Sequence, residues 1–196
     1  MDVNYEDLIN LSKEISNIDN IELSDIPIVD LYMDQLTTLF DDKLGKLKRD
    51  DDDKILTKTM VNNYAKAKIL TPPKNKKYGK QHIILLILIY NLKQILSLND
   101  IEALLSITTQ KLKDDSTYSL EEMYNLFLKL KKTSDSNFSE EFTNFTKMIK
   151  ETTFESSADD LNQLILTVLM LINDANTKKR MAEKIIDNFF KNKDNK

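Results

Sequence analysis

The sequence predicts an all-α fold. The chain has only two glycines and three prolines in 196 residues, too few for the turns that an all-β or βαβ fold needs at each chain reversal. Apolar residues recur three and four positions apart over most of its length, which is the spacing of amphipathic helices. A content of 41% hydrophobic and 31% charged residues is typical of a globular protein with one sizeable core, or with two smaller units sharing one.

Helices can be placed along the first half from their start and stop signals. Residues 1–23 carry apolar side chains at helical spacing until Ser24 and Pro27 interrupt the pattern. The next helix is predicted over 30–44, because Gly45 follows it as a stop signal.

A charge run, "KLKRDDDDK", separates this helix from the next one. Such runs are usually solvated, and four aspartates suit the positively polarised start of a helix at Ile55. Metal binding by Asp50–Asp53 is the less favoured alternative, because adjacent carboxylates do not converge on one ion without a glycine turn. The helix that follows is predicted over 55–70, closed by Pro72 and Pro73.

A short basic loop, 74–80, leads into an apolar helix predicted over 81–96. Ser97, with Asp100 three residues later, has the spacing of a capping box and predicts a short helix ending near Leu105. The apolar run "IILLILIY" extends only about 12 Å as a helix, whereas a membrane span needs about 20 residues. The N-terminus lacks the pattern of a signal peptide. These features predict a cytoplasmic protein.

Four helices are predicted in the second half. Three have capping pairs at their starts, namely Ser119 with Glu122, Asn137 with Glu140, and Ser156 or Ser157 with Asp159 or Asp160. The fourth is predicted over about 177–191, before a frayed tail. The apolar stripes of these helices favour a core or a dimer interface over a ligand pocket.

No group of residues indicates an enzyme. His82 is the only histidine and the chain has no cysteine, which excludes a disulfide scaffold, a thiolate metal site and a histidine-based triad within one chain. The two glycines are isolated, so neither a Walker loop nor a dinucleotide-binding fingerprint is present. We therefore predict no catalytic residue, no metal and no cofactor.

An acid-free segment runs from Lys54 to Asn99 and contains nine lysines. Because the chain's formal net charge is −4 and this segment contributes +9, the remainder carries −13. A helix, a turn and a basic loop with no acid to repel phosphate are typical of a nucleic-acid-binding surface. A solvated lysine-rich face without a ligand is the alternative.

Polar side chains on the middle helix suit DNA. Asparagine can pair with adenine through two hydrogen bonds in the major groove, while Thr, Tyr and Lys suit phosphates. The predicted DNA-binding residues are Thr57, Lys58, Thr59, Asn62, Asn63, Tyr64 and Lys66 on the helix, and Lys74, Lys76, Lys77 and Tyr78 on the loop.

Residues 57–105, which begin "TKTMVNNYAKAKILTPPKNKKYGKQH", resemble the winged helix-turn-helix DNA-binding domain of MerR-type regulators. The resemblance implies that Thr57 caps a recognition helix, that Tyr78 closes a wing and that double-stranded DNA is the partner. Residues 26–106 are also similar, through "DLYMDQLTTLF" and "ILLILIYNLKQILSLNDI", to an uncharacterised bacterial family, the domain of unknown function numbered 1836. That second resemblance implies no activity.

Together these expectations describe a cytoplasmic transcriptional regulator. Residues 1–25 form an N-terminal helical extension, 26–106 a MerR-like helix-turn-helix domain, and 107–196 a helical region for dimerisation or for a small-molecule or protein effector. The recognition helix, about 57–70, enters the major groove, with the loop 74–80 on the DNA backbone. A homodimer is expected, because one such reader covers too few base pairs for useful specificity. The alternative is a non-enzymatic protein–protein interaction module with the same fold.

Overall fold

A computed structural model describes residues 5–17, 20–115, 117–154 and 160–191. The helices are α1 (Tyr5–Ser16), α2 (Met33–Leu44), α3 (Lys58–Lys66), α4 (Lys80–Leu92), α5 (Leu98–Asp114), α6 (Leu120–Phe154) and α7 (Asp160–Ile186). A 3-10 turn, Gly45–Leu47, follows α2, and a π-helical segment, Asp187–Lys191, follows α7. Over these ranges the backbone forms isolated β-bridges but no strand. The predicted all-α fold is confirmed.

The chain divides into two compact units. The first, which we call the outer-segment unit, comprises Met1–Ile18 and Lys129–Met181. The second, which we call the α4 unit, comprises Asp19–Leu128 and Ala182–Lys196.

The core of the α4 unit is built around α4. Every residue from Ile83 to Ile89 is buried, because this helix is apolar on all sides and needs neighbours around its whole circumference. Helices α2, α3, α5 and the start of α6 contribute their apolar faces, with Phe40, Val61, Ile101 and Tyr124 among the buried side chains. No helix within the described ranges is both long and apolar enough to cross a membrane.

Hydrogen bonds fix the start of α5 and tie Lys191 to it. Ser97 Oγ accepts a hydrogen bond from the Asp100 backbone N–H at 3.2 Å, which confirms the predicted cap. Lys191 Nζ lies 2.5 Å from the Asp100 carboxylate, and Ser97 Oγ donates to the same group at 2.6 Å. These contacts, led by the one with Lys191, hold the pKa of Asp100 below its ordinary value.

The outer-segment unit is held by contacts of α1 with both long helices. The Tyr5 hydroxyl donates to the Gln163 side-chain oxygen on α7, and the hydroxyls of Ser12 and Ser139 lie 3.2 Å apart. Its buried apolar side chains, among the residues the structure describes, are Phe142 and Ile149. The remaining buried positions in this unit are hydroxyl-bearing residues, namely Ser12, Thr146, Thr153 and Thr167.

Two predicted helix starts in the second half are wrong. Helix α6 is continuous through Asn137, and α7 is continuous through Thr177. No glycine or proline interrupts either stretch, so each helix propagates through its internal capping signal, because a new start without a break would forfeit backbone hydrogen bonds. The predicted start at Ser156 or Ser157 lies outside the described residues.

The predicted bounds of the first-half helices also need correction. Helix α3 is shorter than the predicted 55–70, and α5 extends well beyond Leu105. The helix predicted over 81–96 ends at Leu92. The cap at Ser119 is as predicted, because its Oγ accepts from the Glu122 N–H at 3.2 Å.

Candidate nucleic-acid interface

Helix α3 presents one polar, solvent-exposed face. Its exposed residues are Lys58, Thr59, Asn62, Asn63 and Lys66. They lie at positions i, i+1, i+4, i+5 and i+8, which form two adjacent rows on the same side of a helix. Five of the predicted DNA-binding residues are thus brought together on one surface.

The same spacing places the apolar side of α3 against the core. Val61 and Tyr64, three residues apart, are buried. Thr57 begins the helix, because its side chain accepts a hydrogen bond from the Met60 N–H at 3.2 Å. The predicted role of Thr57 as a cap is therefore confirmed.

Helix α3 ends in a Schellman motif without glycine. The Ile69 N–H donates to the Tyr64 carbonyl at 3.1 Å, and the Lys68 N–H donates to the Ala65 carbonyl at 3.1 Å. Lys68 has a φ of 57°, in the left-handed region that glycine usually occupies. This turn directs the chain into the core at Ile69 and Leu70, both buried.

The basic loop contains a tight β-turn. The Lys77 N–H donates to the Lys74 carbonyl at 3.0 Å, and the two central residues, Asn75 and Lys76, have φ values of 52° and 61°. Positive φ at both central positions is the signature of a type I′ turn, which joins two strands with two residues. The loop therefore forms a minimal hairpin that holds Lys74 and Lys76 in solvent.

A backbone bridge anchors this turn to the segment before α2. The Tyr78 and Leu31 N–H groups donate to each other's carbonyls, at 2.8 and 3.0 Å. Lys77 Nζ lies 5.1 Å from the centroid of the Tyr32 ring, in cation–π contact. The position of the turn is thus fixed by backbone hydrogen bonds as well as by side chains.

The two tyrosines in the predicted site are buried. Tyr64 is 7% exposed and Tyr78 is 5% exposed, and burial raises the pKa of both phenols. The structure places them in the core, under the exposed face of α3 and at the base of the turn. Helical spacing could have indicated this burial, because Tyr64 lies three residues after Val61 and therefore on the same apolar side of α3.

His82 joins the segment after α3 to the end of the basic loop. Its Nδ1 accepts a hydrogen bond from the Gly79 N–H at 3.2 Å, so a neutral ring carries its proton on Nε2, which lies 3.1 Å from the Thr71 carbonyl oxygen. Burial lowers the pKa of His82, against the opposing effects of the Thr71 hydrogen bond and of Asp30. The ring therefore links Thr71 to Gly79 through hydrogen bonds at both of its nitrogens.

Most lysines of the acid-free segment lack a carboxylate partner. Lys80 lies 2.7 Å from Glu121, and Lys93 Nζ donates to the Ile55 carbonyl at 3.0 Å, with its pKa lowered by burial. Within the described part of the chain, seven others form no ion pair, namely Lys54, Lys58, Lys66, Lys68, Lys74, Lys76 and Lys77. Lys54 and Lys68 were not among the predicted DNA-binding residues, and both are exposed.

The aspartate run before α3 forms a turn of its own. The Asp53 carboxylate accepts from the N–H groups of Arg49 and Asp50, both at 3.2 Å, and the Asp53 N–H donates to the Asp50 carbonyl at 3.0 Å. All four aspartates are exposed. Their position ahead of Ile55, rather than within α3, leaves the polar face of the helix without an acid.

The candidate surface therefore combines the polar face of α3, which carries no acid, with the lysines of the basic turn on an all-helical scaffold. The chain belongs to the family described as Domain of unknown function (DUF1836), whose profile matches residues 21–127. The matched range nearly coincides with the first segment of the α4 unit, Asp19–Leu128. Neither a curated protein nor a solved structure matches this chain.

Proposed function

We propose that this protein is a DNA-binding transcriptional regulator whose α4 unit contacts the duplex through α3 and the basic turn. The observation that carries the proposal is the exposed face of α3, where two asparagines lie between Lys58 and Lys66 and no acid intervenes. Lysines without carboxylate partners can neutralise phosphates at no cost in lost ion pairs. The asparagine amides are the groups suited to adenine edges.

The basic turn supports the same proposal. Lys74 and Lys76 are exposed on a short hairpin that backbone hydrogen bonds fix beside Leu31. In MerR-type regulators, which residues 57–105 resemble, a wing flanks the recognition helix. By this analogy α3 lies in the major groove and the turn lies on the neighbouring backbone. The connection from Gly45 to Thr57 is longer than the turn of a simple helix-turn-helix, so the analogy rests on the later elements.

A protein-docking function is the second candidate. Ile28 and Val29 are 102% and 71% exposed, and they precede Leu31, which pairs with Tyr78 at the base of the basic turn. Large apolar side chains that are exposed next to one another can mark a protein-interaction site. In this alternative the basic turn binds an acidic protein surface.

Fluorescence anisotropy with a random AT-rich duplex tests the proposal. We expect binding at low salt that weakens steeply toward physiological salt, with a slope of log affinity against log salt of about −0.9 per phosphate neutralised. Replacing the two exposed turn lysines, Lys74→Gln with Lys76→Gln, should reduce that slope by about 2. The matched control is Lys129→Gln with Lys132→Gln, which changes the net charge equally at two exposed lysines of α6.

The asparagines are tested separately, because they are expected to specify sequence. The double variant Asn62→Ala, Asn63→Ala should retain most affinity for random duplex and lose preference among sequences. Absence of binding at low salt would refute the regulator and favour the docking alternative. An equal change of slope in the turn variant and the α6 control would refute the assignment of the turn.

A further inference from the structure

Helix α7 carries an apolar face that the described chain leaves in solvent. From Leu161 to Asn173 the helix has no charged residue. Seven large apolar side chains in this stretch are between 37% and 58% exposed, namely Leu161, Ile165, Leu166, Val168, Leu169, Met170 and Ile172. A surface helix would carry charged residues on its exposed side, and a core helix would be buried, so this stretch of α7 has neither arrangement.

Four of these side chains form a narrow seam. Leu161, Ile165, Val168 and Ile172 lie at positions i, i+4, i+7 and i+11, which is the heptad spacing of paired helices. Their exposed fractions are 48%, 47%, 53% and 56%. The buried side of the helix, at Thr167, lies away from the seam. The seam is therefore additional to the packing of α7 within its own unit.

The residues in the seam favour a second helix of the same kind. Ile165 and Ile172 occupy a positions and Leu161 a d position, the combination that favours two-stranded pairing. Val168 at the other d position adds apolar surface without contributing to that preference. Because the stretch carries no charge, two copies bring no like charges together. A face of this kind is self-complementary, as an isologous two-fold interface requires.

The interior of the outer-segment unit is consistent with a missing partner. Among the described residues, its buried apolar side chains are Phe142 and Ile149 alone, beside buried hydroxyl groups. A helical unit with so few buried apolar groups gains little of the hydrophobic stabilisation that offsets chain entropy. The four seam side chains, each about half exposed, present apolar surface on the order of 300 Å², which is in the range of the largest patches on monomers.

We propose that the α7 seam is a homodimer interface, occupied by the α7 seam of a second copy of this chain. Pairing removes Leu161, Ile165, Val168 and Ile172 from water and supplies the apolar neighbours that the unit lacks. The inference is independent of DNA binding, because it concerns a different unit and is tested without DNA.

Sedimentation equilibrium of the full chain tests this proposal with a pair of charge variants. One variant carries Ile165→Lys and Val168→Lys, and the other carries Ile165→Glu and Val168→Glu. We expect a dimer for the unaltered chain and, for each variant alone, a dissociation constant raised at least about 100-fold by like charges across the seam. An equimolar mixture of the two variants should recover the dimer through opposite charges.

The matched control is Ile28→Lys with Val29→Lys, which replaces two exposed apolar side chains of the α4 unit and should leave the dimer intact. Circular dichroism of each variant reports helix content, so that recovery in the mixture distinguishes pairing from unfolding. A monomeric unaltered chain would overturn the proposal. So would variants that remain dimeric, or a mixture that fails to pair.

Discussion

The two compact units differ in how they are stabilised. The α4 unit encloses a helix that is buried on all sides, from Ile83 to Ile89. The outer-segment unit leaves the seam of α7 about half exposed and buries mainly hydroxyl-bearing side chains. An apolar helix is therefore not by itself a sign of a core, since the neighbours around it decide whether it is buried. We therefore expect the α4 unit to be stable alone and the outer-segment unit to depend on a partner.

The largest effect is expected from truncating a buried side chain of the α4 unit, compared with an exposed apolar side chain of the outer-segment unit. Leu86→Ala removes a fully buried side chain of α4 and should lower the free energy of unfolding by about 2–5 kcal/mol. Leu130→Ala, at a side chain that is 73% exposed, should change it by less than about 0.5 kcal/mol. Urea titrations of both variants provide the measurement, and similar losses would contradict the comparison.

A substitution just after α3 should increase the stability of the protein, because Lys68 occupies a left-handed conformation. Lys68→Gly relieves that strain and should raise the free energy of unfolding by about 0.5–1 kcal/mol. Lys66→Gly, within the last turn of the same helix, should lower it by a similar amount. Thermal denaturation of the pair reports the sign, and a loss at both positions would exclude the Schellman motif.

Hydrogen exchange should depend on protein concentration only in the outer-segment unit. If dimerisation protects α7, the protection of its amides should rise by roughly 0.7 kcal/mol for each tenfold increase in concentration. Amides of α4 should show the same protection at both concentrations. If the protection of the α7 amides did not change with protein concentration, the stability of the outer-segment unit would not depend on dimerisation.

The smallest expected effect is a pH dependence in the α4 unit. Burial holds the pKa of His82 below its ordinary value of 6.5, so the unfolded chain binds more protons as the pH falls below 6.5. Stability should therefore be complete above that pH and decline below it. His82→Gln should flatten the unfolding free energy between pH 7.5 and 5.5. A chain whose stability rises in acid would contradict the neutral, buried ring.

Signals that involve only a few neighbouring residues predicted helix starts correctly, but they did not predict the lengths of the long helices. The caps at Ser97 and Ser119 were predictable because each pairs one side chain with a backbone N–H three residues later. The cap at Thr57 was implied only by the resemblance to MerR-type regulators, because the local pattern placed the helix start at Ile55. The cap predicted at Asn137 failed, because nothing before it ends α6. A glycine usually signals a helix end of this kind, but Lys68 occupies that position here, so the sequence carried no signal for the end of α3.

The candidate site was predicted only in part, because local spacing identifies a helix face but not which side chains are buried. Helical spacing on α3 put its lysines and asparagines on one face, whereas Tyr64 and Tyr78 were assigned by residue type and lie in the core. The turn at Asn75 and Lys76 depends on positive φ at a lysine, which residue preferences disfavour. Whether α7 faces a partner depends on tertiary packing, which spacing alone does not determine.

Lysine footprinting with and without a duplex is the most direct test of the proposed function. The intact chain is acetylated briefly at low salt, and mass spectrometry measures the extent of modification at each lysine. We expect DNA to lower the reactivity of Lys58, Lys66 and Lys76 and to leave that of Lys129 and Lys132 unchanged. Equal reactivity with and without DNA at the first three, or protection confined to the last two, would contradict it.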